Sequence, residues 1–352
     1  LGHSLEAFAI DHHLAHVASA FYTSPFDEAA VVSFDGGGDG QLGAYAWGRQ
    51  NRIEACEPQR FENLGGWWSG LTFNNYRMPR LHAWDPGSGA GKIMALAAYG
   101  DYDPEVVAEL AHNMAEPSYS PSYTDPPSLA FHNDEDLSDT RLLRSQALAR
   151  ALQDHTETRV SELFRKSHAL RPELENLCYA GGIALNCIAN TKALAQSRYK
   201  RLHVPPCPND SGLALGMALY VHYHLGGAPR IPSFFSPYTG PTYAPAELSR
   251  PKGRHTRTPA EPRQVARALA AGHLVAVWRQ RSECGPRALG HRNLLCRTSG
   301  QVTRSYINRE VKKREWYRPY AALVLAERAD ALLSDYRPEA PYMTTAATWA
   351  RW

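Results

Sequence analysis

Lysine is scarce in this 352-residue chain: of its 38 basic residues only 7 are Lys and 31 are Arg. Excess charge of one sign is also small, +3 at pH 7, too little for a protein that grips nucleic acid by bulk electrostatics. No apolar run reaches the roughly 18 residues of a membrane span. The best stretch, Gly212 to His224, is shorter and holds two His. The six cysteines (Cys56, Cys178, Cys187, Cys207, Cys284, Cys296) include no CxxC pair and no secretory framework, which argues against a zinc ribbon or a disulfide scaffold. Free thiols in a reducing cytoplasm are expected, and no signal-peptide pattern is seen. What is present is ordinary globular composition, 43% hydrophobic and 21% charged, with length for about two domains. The chain opens on Leu1 rather than Met and stops at Trp352, so it is expected to be part of a longer product.

Short apolar strands next to glycine-rich turns set the organisation. Ala29–Phe34 reads as a buried strand entering Asp35-Gly36-Gly37-Gly38-Asp39-Gly40, with 42–47 and 53–56 as the next strands of a meander. Helical spacing runs over 104–116 and 141–169. Asn176–Ala180 reads as a strand before Gly181-Gly182, 188–197 as a helix, and 202–204 as a third buried strand ended by Pro205 and Pro206. The run 212–224 reads as a helix whose Gly and Ala content suits close packing. Residues 114–131 and 226–262, rich in Pro, Ser and Tyr, read as an exposed loop and as a linker or extended loop. Beyond them, 264–271 reads as a helix and 273–278 as a strand.

Chemistry concentrates first in Asp11-His12-His13-Leu14-Ala15-His16. On a helix His12 and His16 share one face and can grip one ion, while His13 points elsewhere. Asp35, at a strand end, and Asp210, before a helix, are the carboxylates that would complete such a site, since strand ends of α/β sheets face the ligand crevice. Two His and two Asp suit iron, manganese or zinc. The alternative is a capped helix start, with Asp35 a turn residue and Asp210 an N-cap.

The glycine runs let backbone amides approach a phosphate. Gly87-Ser88-Gly89-Ala90-Gly91-Lys92 adds a turn and one cation but is not a Walker A loop, because no Ser or Thr follows Lys92. Several such runs at separate strand ends fit a two-lobed actin/hexokinase-like nucleotide fold better than a Rossmann fold. A basic segment follows, with Arg279, Arg281, Arg287 and Arg292 around a Gly-Pro turn and then Val311 to Tyr320. Arg forks suit phosphate, and the alternative is a solvated basic face. Trp67, Trp68, Phe73, Tyr76 and Trp84 are candidates to line an acceptor pocket, or equally to be core.

At these residues the chain resembles the ATP-dependent O-carbamoyltransferases of antibiotic and nodulation-factor biosynthesis. The resemblance runs through 11–40, 91–100, 177–190, 205–219, 283–295 and 311–325, in the family's order. It implies an α/β protein. An actin/hexokinase-like (ASKHA) domain, similar to the metal- and nucleotide-binding subunit of tRNA threonylcarbamoylation, spans 1–245. A linker spans 246–262 and an incomplete YrdC-like α/β domain 263–352. The resemblance implies that carbamoyl phosphate and ATP form carbamoyl-adenylate in the YrdC-like part, and that the carbamoyl group then passes to a hydroxyl of a small natural-product acceptor. It makes His12, His16, Asp35 and Asp210 metal ligands, for iron with manganese or zinc as alternatives. Arg287, Lys312 and Arg318 become the catalytic cations, and Gly36, Gly37, Gly38, Gly181, Gly182, Asn186, Lys92 and Arg292 the nucleotide contacts, with Mg accompanying ATP. Neither nucleic acid nor membrane is an expected partner, a homodimer is allowed, and the location is cytoplasmic. The family's first strands, with a His proposed as general base, are not seen before Leu1. His291 stands where Asn is usual. Rival readings are a tRNA threonylcarbamoyl transferase, a sugar- or acetate-type kinase, and a non-catalytic nucleotide-binding regulator.

Overall fold

Asp11 starts the first helix by accepting the Leu14 backbone N–H at 3.0 Å, giving α1 (His12–Tyr22). The computed structural model describes residues 7–59, 61–72, 89–115, 140–243, 261–297 and 301–350. After α1 come β1 (Glu28–Gly38), β2 (Gln41–Arg49) and β3 (Arg52–Gln59), an antiparallel meander. β1 is longer than its apolar run predicts. Pairing lapses after Phe34↔Gly43 and resumes at Gly38↔Gln41, so most of the glycine run is bulged strand rather than loop. The turn itself is Asp39-Gly40, both at positive φ (50° and 75°), the conformation that two-residue hairpins favour.

Then follow α2 (Leu64–Gly70), α3 (Ala90–Leu96), α4 (Pro104–Ala115) and the long α5 (Thr140–Leu170). β4 (Asn176–Ala180), α6 (Cys187–Gln196), β5 (Arg201–His203) and α7 (Leu213–Leu219) complete the main body, α7 running on into a π turn over Tyr220–Leu225. The sheet order is β3-β2-β1-β4-β5, with β1, β4 and β5 mutually parallel. Alternation along β1 divides the core. Ala30, Val32 and Phe34 pack with Leu152 and Phe164 of α5, whereas Ala29 and Val31 pack with Val17 and Phe21 of α1. Each such fully buried large side chain contributes about 1.5–3 kcal/mol. α7 lies close on α1, since a Cβ at Gly216 would stand 2.0 Å from the Ala15 carbonyl oxygen.

The contacts divide the chain into two units, Leu1–Phe235 with Arg314–Trp352, and Ser236–Lys313. The sequence reading divides it instead at 245 and 263, along family segments. The difference arises because the chain returns to the first body after Lys313. Tyr317 is buried in its main core, and Asn190 Nδ2 donates to the Thr344 carbonyl at 2.8 Å. Residues 227–235 are likewise bound to the first body, where Phe235 N–H donates to the Thr23 carbonyl. The smaller unit holds α8 (Pro262–Ala270), opened by a Glu261/Gln264 capping box, then the antiparallel pair β6 (Val275–Trp278) and β7 (Arg292–Leu295), and α9 (Gln301–Tyr306). A last short helix, α10 (Ala329–Leu332), belongs to the first unit. Most of the expected loop 114–131 and linker 246–262 lies outside the described residues. Among the described residues no helix is long and apolar enough to cross a membrane.

Candidate metal centre

The parallel strands β1, β4 and β5 end on one edge of the sheet, and the N-terminal turn of α1 supplies that edge with two imidazoles. His12 Nε2 and His16 Nε2 are 3.2 Å apart. Asp35 Oδ2 lies 3.2 Å from the first and 3.3 Å from the second. Asp210 Oδ1, brought in by the turn after β5, lies 3.7 Å and 3.4 Å from the same atoms. One ligand atom from each of the four residues lies within 4.8 Å of every other. His16 is fully buried and Asp35 nearly so, while the Asp210 side chain is 65% exposed, so the cluster opens on its side.

Backbone and side-chain contacts hold the ligand atoms. Asp35 Oδ1 accepts the Gly182 N–H at 2.8 Å, leaving Oδ2 for the histidines. Asp39 Oδ2 accepts the His12 backbone N–H at 2.8 Å. Gly38 leaves room for the His12 ring, since a Cβ there would fall 2.2 Å from it. His13 points away, as its spacing predicts, and its Nδ1 lies 2.8 Å from Ser33 Oγ. Burial alone would push the Asp35 carboxyl up, but the hydrogen bonds of His12, His16 and Gly182 hold it well below the usual range. For His16 burial works downward and is outweighed by Asp210 and Asp35, which raise its proton affinity. The donor set suits a metal ion: two imidazole nitrogens and two carboxylates bring lone pairs to one point, and a bare pair of Nε2 atoms 3.2 Å apart has at most one proton to share.

The other expected residues are placed as follows. Gly36, Gly37 and Gly38 lie in the bulged end of β1, beside Asp35. Gly181 and Gly182 lie just beyond β4, where the Gly181 amide donates to the Pro208 carbonyl at 2.8 Å and the Gly182 amide donates to Asp35. Asn186 is the N-cap of α6 and trades amide hydrogen bonds with Gln153, so its side chain is engaged inside the fold. Lys92 on α3 pairs with the buried Glu315 at 3.0 Å, and Arg318 approaches the other oxygen of that carboxylate at 3.5 Å. Arg318 thus belongs to the first unit, while Arg287, Lys312 and Arg292 belong to the smaller one. Of the aromatic candidates, Trp68 is core, its Nε1 donating to Thr156 Oγ1 at 3.0 Å, and Trp67 packs partly buried against the same core. Phe73, Tyr76 and Trp84 lie outside the described residues.

Sequence reasoning missed Asp39 and Glu315. Both carried a signal: Asp39 is the second acid of the glycine run, and Glu315 is the one acid among Lys312, Lys313, Arg314 and Arg318. The six cysteines are all free thiols.

Two family models match the chain, carbamoyltransferase N-terminus over residues 5–219 and carbamoyltransferase C-terminus over 266–351. Nodulation protein NolNO of Sinorhizobium fredii (strain NBRC 101917 / NGR234) is 31% identical, over 95% of this chain and 50% of its own length. Nodulation protein U of the same strain is 31% identical over 94% and 61%, and the uncharacterized protein sll1178 of Synechocystis sp. 30% over 96% and 58%. The chain therefore spans half to three-fifths of the length of these relatives. The crystal structure of T. kodakarensis HypF aligns with 62% of the chain and 37% of its own at a TM-score of 0.33 and 14% identity, too low to carry an argument.

Proposed function

This chain belongs to the carbamoyltransferase family, and from that premise we propose that it serves ATP-dependent O-carbamoylation. Water cleaves carbamoyl phosphate to carbamate and phosphate, the carbamate oxygen attacks the α-phosphorus of ATP to give carbamoyl-adenylate and pyrophosphate, and the carbamoyl group then moves to a hydroxyl of a small acceptor with release of AMP. The names of the nodulation relatives favour a natural product of the nodulation-factor or antibiotic kind as that acceptor. Adenylation suits the chemistry, because carbamate is a poor electrophile and AMP a good leaving group.

The observation that carries this reading is the convergence of His12, His16, Asp35 and Asp210 at the strand ends of a chain matched by both family models. Iron, with manganese or zinc as alternatives, would be held by these four side chains, and when bound it supplies Lewis acidity toward a phosphate or carbamoyl oxygen. Asp35, tied to the Gly182 amide, fixes the pair of imidazoles, and the exposed Asp210 leaves the approach open. The strand order 3-2-1-4-5 supports an actin-like lobe for this part. Arg287 and Lys312 neutralise phosphate charge as it shifts during adenylation, in the smaller unit. Arg318 and Lys92 share Glu315 in the first unit, where an incoming nucleotide phosphate would compete with that carboxylate. The free thiols fit a cytoplasmic setting.

The deciding experiment incubates the protein with ATP and carbamoyl phosphate and follows AMP and pyrophosphate. Formation of both, dependent on carbamoyl phosphate, is expected. ADP as product would point to a kinase, and no turnover to a nucleotide-binding regulator.

A further inference from the structure

One carboxylate organises the turn that carries Arg287. Glu283 is buried, and its Oε1 accepts the backbone N–H groups of Leu289 at 2.8 Å, His291 at 2.8 Å and Arg292 at 3.0 Å. Hydrogen bonds to an ionised acceptor are about twice as strong as neutral ones, so three amides on one oxygen make a stiff clamp. The bonds hold the carboxyl below its ordinary range although burial pushes it up. Two glycines at positive φ, Gly285 at 85° and Gly290 at 107°, let the chain fold back around it. The far side of the turn is braced as well. The Tyr238 ring stacks on His291 at 3.7 Å, and its Oη donates to the Leu289 carbonyl at 2.8 Å. Arg287 lies inside the loop that Glu283 closes on itself, between Gly285 and Leu289.

We propose that Glu283 is the positioning residue of this turn: it sets the backbone from Gly285 to Arg292 before substrate arrives, so that Arg287 meets carbamoyl phosphate already in place. The inference rests on the reading that Arg287 handles carbamoyl phosphate. Glu283 acts here through the backbone, because its Oε1 is occupied by three amides and its Oε2 is buried.

The test compares E283A, E283D and E283Q with the unaltered protein in carbamoyl-phosphate-dependent AMP release, together with hydrogen exchange at the amides of 289, 291 and 292. E283A, and E283D whose shorter arm keeps the charge but cannot span all three amides, should raise the KM for carbamoyl phosphate about tenfold or more while the KM for ATP changes less than about twofold. The three amides should exchange faster in both. E283Q retains the reach and an acceptor oxygen but not the charge, and should fall between E283A and the unaltered protein. If E283A fails to fold, E283D decides alone. Unchanged KM values with unchanged exchange, or an equal loss toward both substrates, overturns the proposal. R287A run in parallel separates the two ideas: an R287A protein with full activity overturns the reading beneath, whereas an inactive R287A beside a normal E283D overturns the clamp alone.

Discussion

His16 and Asp35 depend on each other, because each is buried and each supplies the other's partner. Removing either leaves a polar group enclosed without its partner and takes away one of the four proposed ligands. D35N and H16A should therefore retain less than about a tenth of the metal bound by the unaltered protein after loading with iron, manganese or zinc, as read by elemental analysis. G38A tests the same site without touching a ligand. The added Cβ would meet the His12 ring at 2.2 Å, so the ring must move and metal content should fall although all four proposed ligands remain. A second buried histidine, His203, sits among the rings of Phe26, Phe234 and Tyr342, with Nε2 3.0 Å from Thr23 Oγ1. Burial lowers its pKa from 6.5 to about 3. Below pH 6.5 the unfolded chain therefore takes up a proton that the folded one refuses, and stability contributed by this residue is lost as pH falls from 6.5 toward 3. Urea unfolding of H203Q should show a shallower loss between pH 6.5 and pH 4 than the unaltered protein shows.

Elements with long apolar periodicity were legible, and those made by tertiary contact were not. β4 (Asn176–Ala180) matches its sequence reading residue for residue, and α5 differs by one residue at each end. α2, Leu-Gly-Gly-Trp-Trp-Ser-Gly, has no propensity to announce it. It forms because Asn63 caps its Gly66 amide at 2.9 Å and Trp68 is drawn into the core. The cluster of His12, His16, Asp35 and Asp210 was legible as a candidate because HxxxH has helical spacing and each acid stands beside a recognisable element end, Asp35 after an apolar strand run and Asp210 before a helix. Asp39 and Glu315 act across 27 and 223 positions of sequence, and no spacing motif tied either acid to its partner. Arg230 is of the same kind. Its guanidinium donates to the carbonyls of Phe21 and Ser24 at the end of α1, and of Phe26 and Gln50 beyond it, while stacking over the Phe21 ring at 4.5 Å. It closes the C-terminal end of the helix that presents the histidines. R230A should lower unfolding stability by about 2–4 kcal/mol in urea titrations, from unmet buried carbonyls and lost packing, and R230K should recover little because an ammonium cannot span four acceptors.

At the scale of the whole molecule, the proposed half-reactions fall to residues of different units, His12, His16, Asp35 and Asp210 in one and Arg287 and Lys312 in the other. This division gives the two kinds of variant opposite signatures. R287A should abolish carbamoyl-phosphate-dependent AMP release, and with it all carbamoylated product, because adenylate is never formed. H12A removes one imidazole from the proposed metal site and leaves Arg287 and Lys312 untouched, so it should still convert ATP to AMP and pyrophosphate. The carbamoyl group, lacking an ordered acceptor step, should then be lost to water, and the ratio of product to AMP should fall about tenfold or more. Following both species in one sample, with a hydroxyl acceptor supplied, measures that ratio directly. An H12A protein that folds and binds carbamoyl phosphate normally but releases no AMP would place adenylate formation at the His12–His16–Asp35–Asp210 site, and the assignment of the two half-reactions to the two units would have to be reversed.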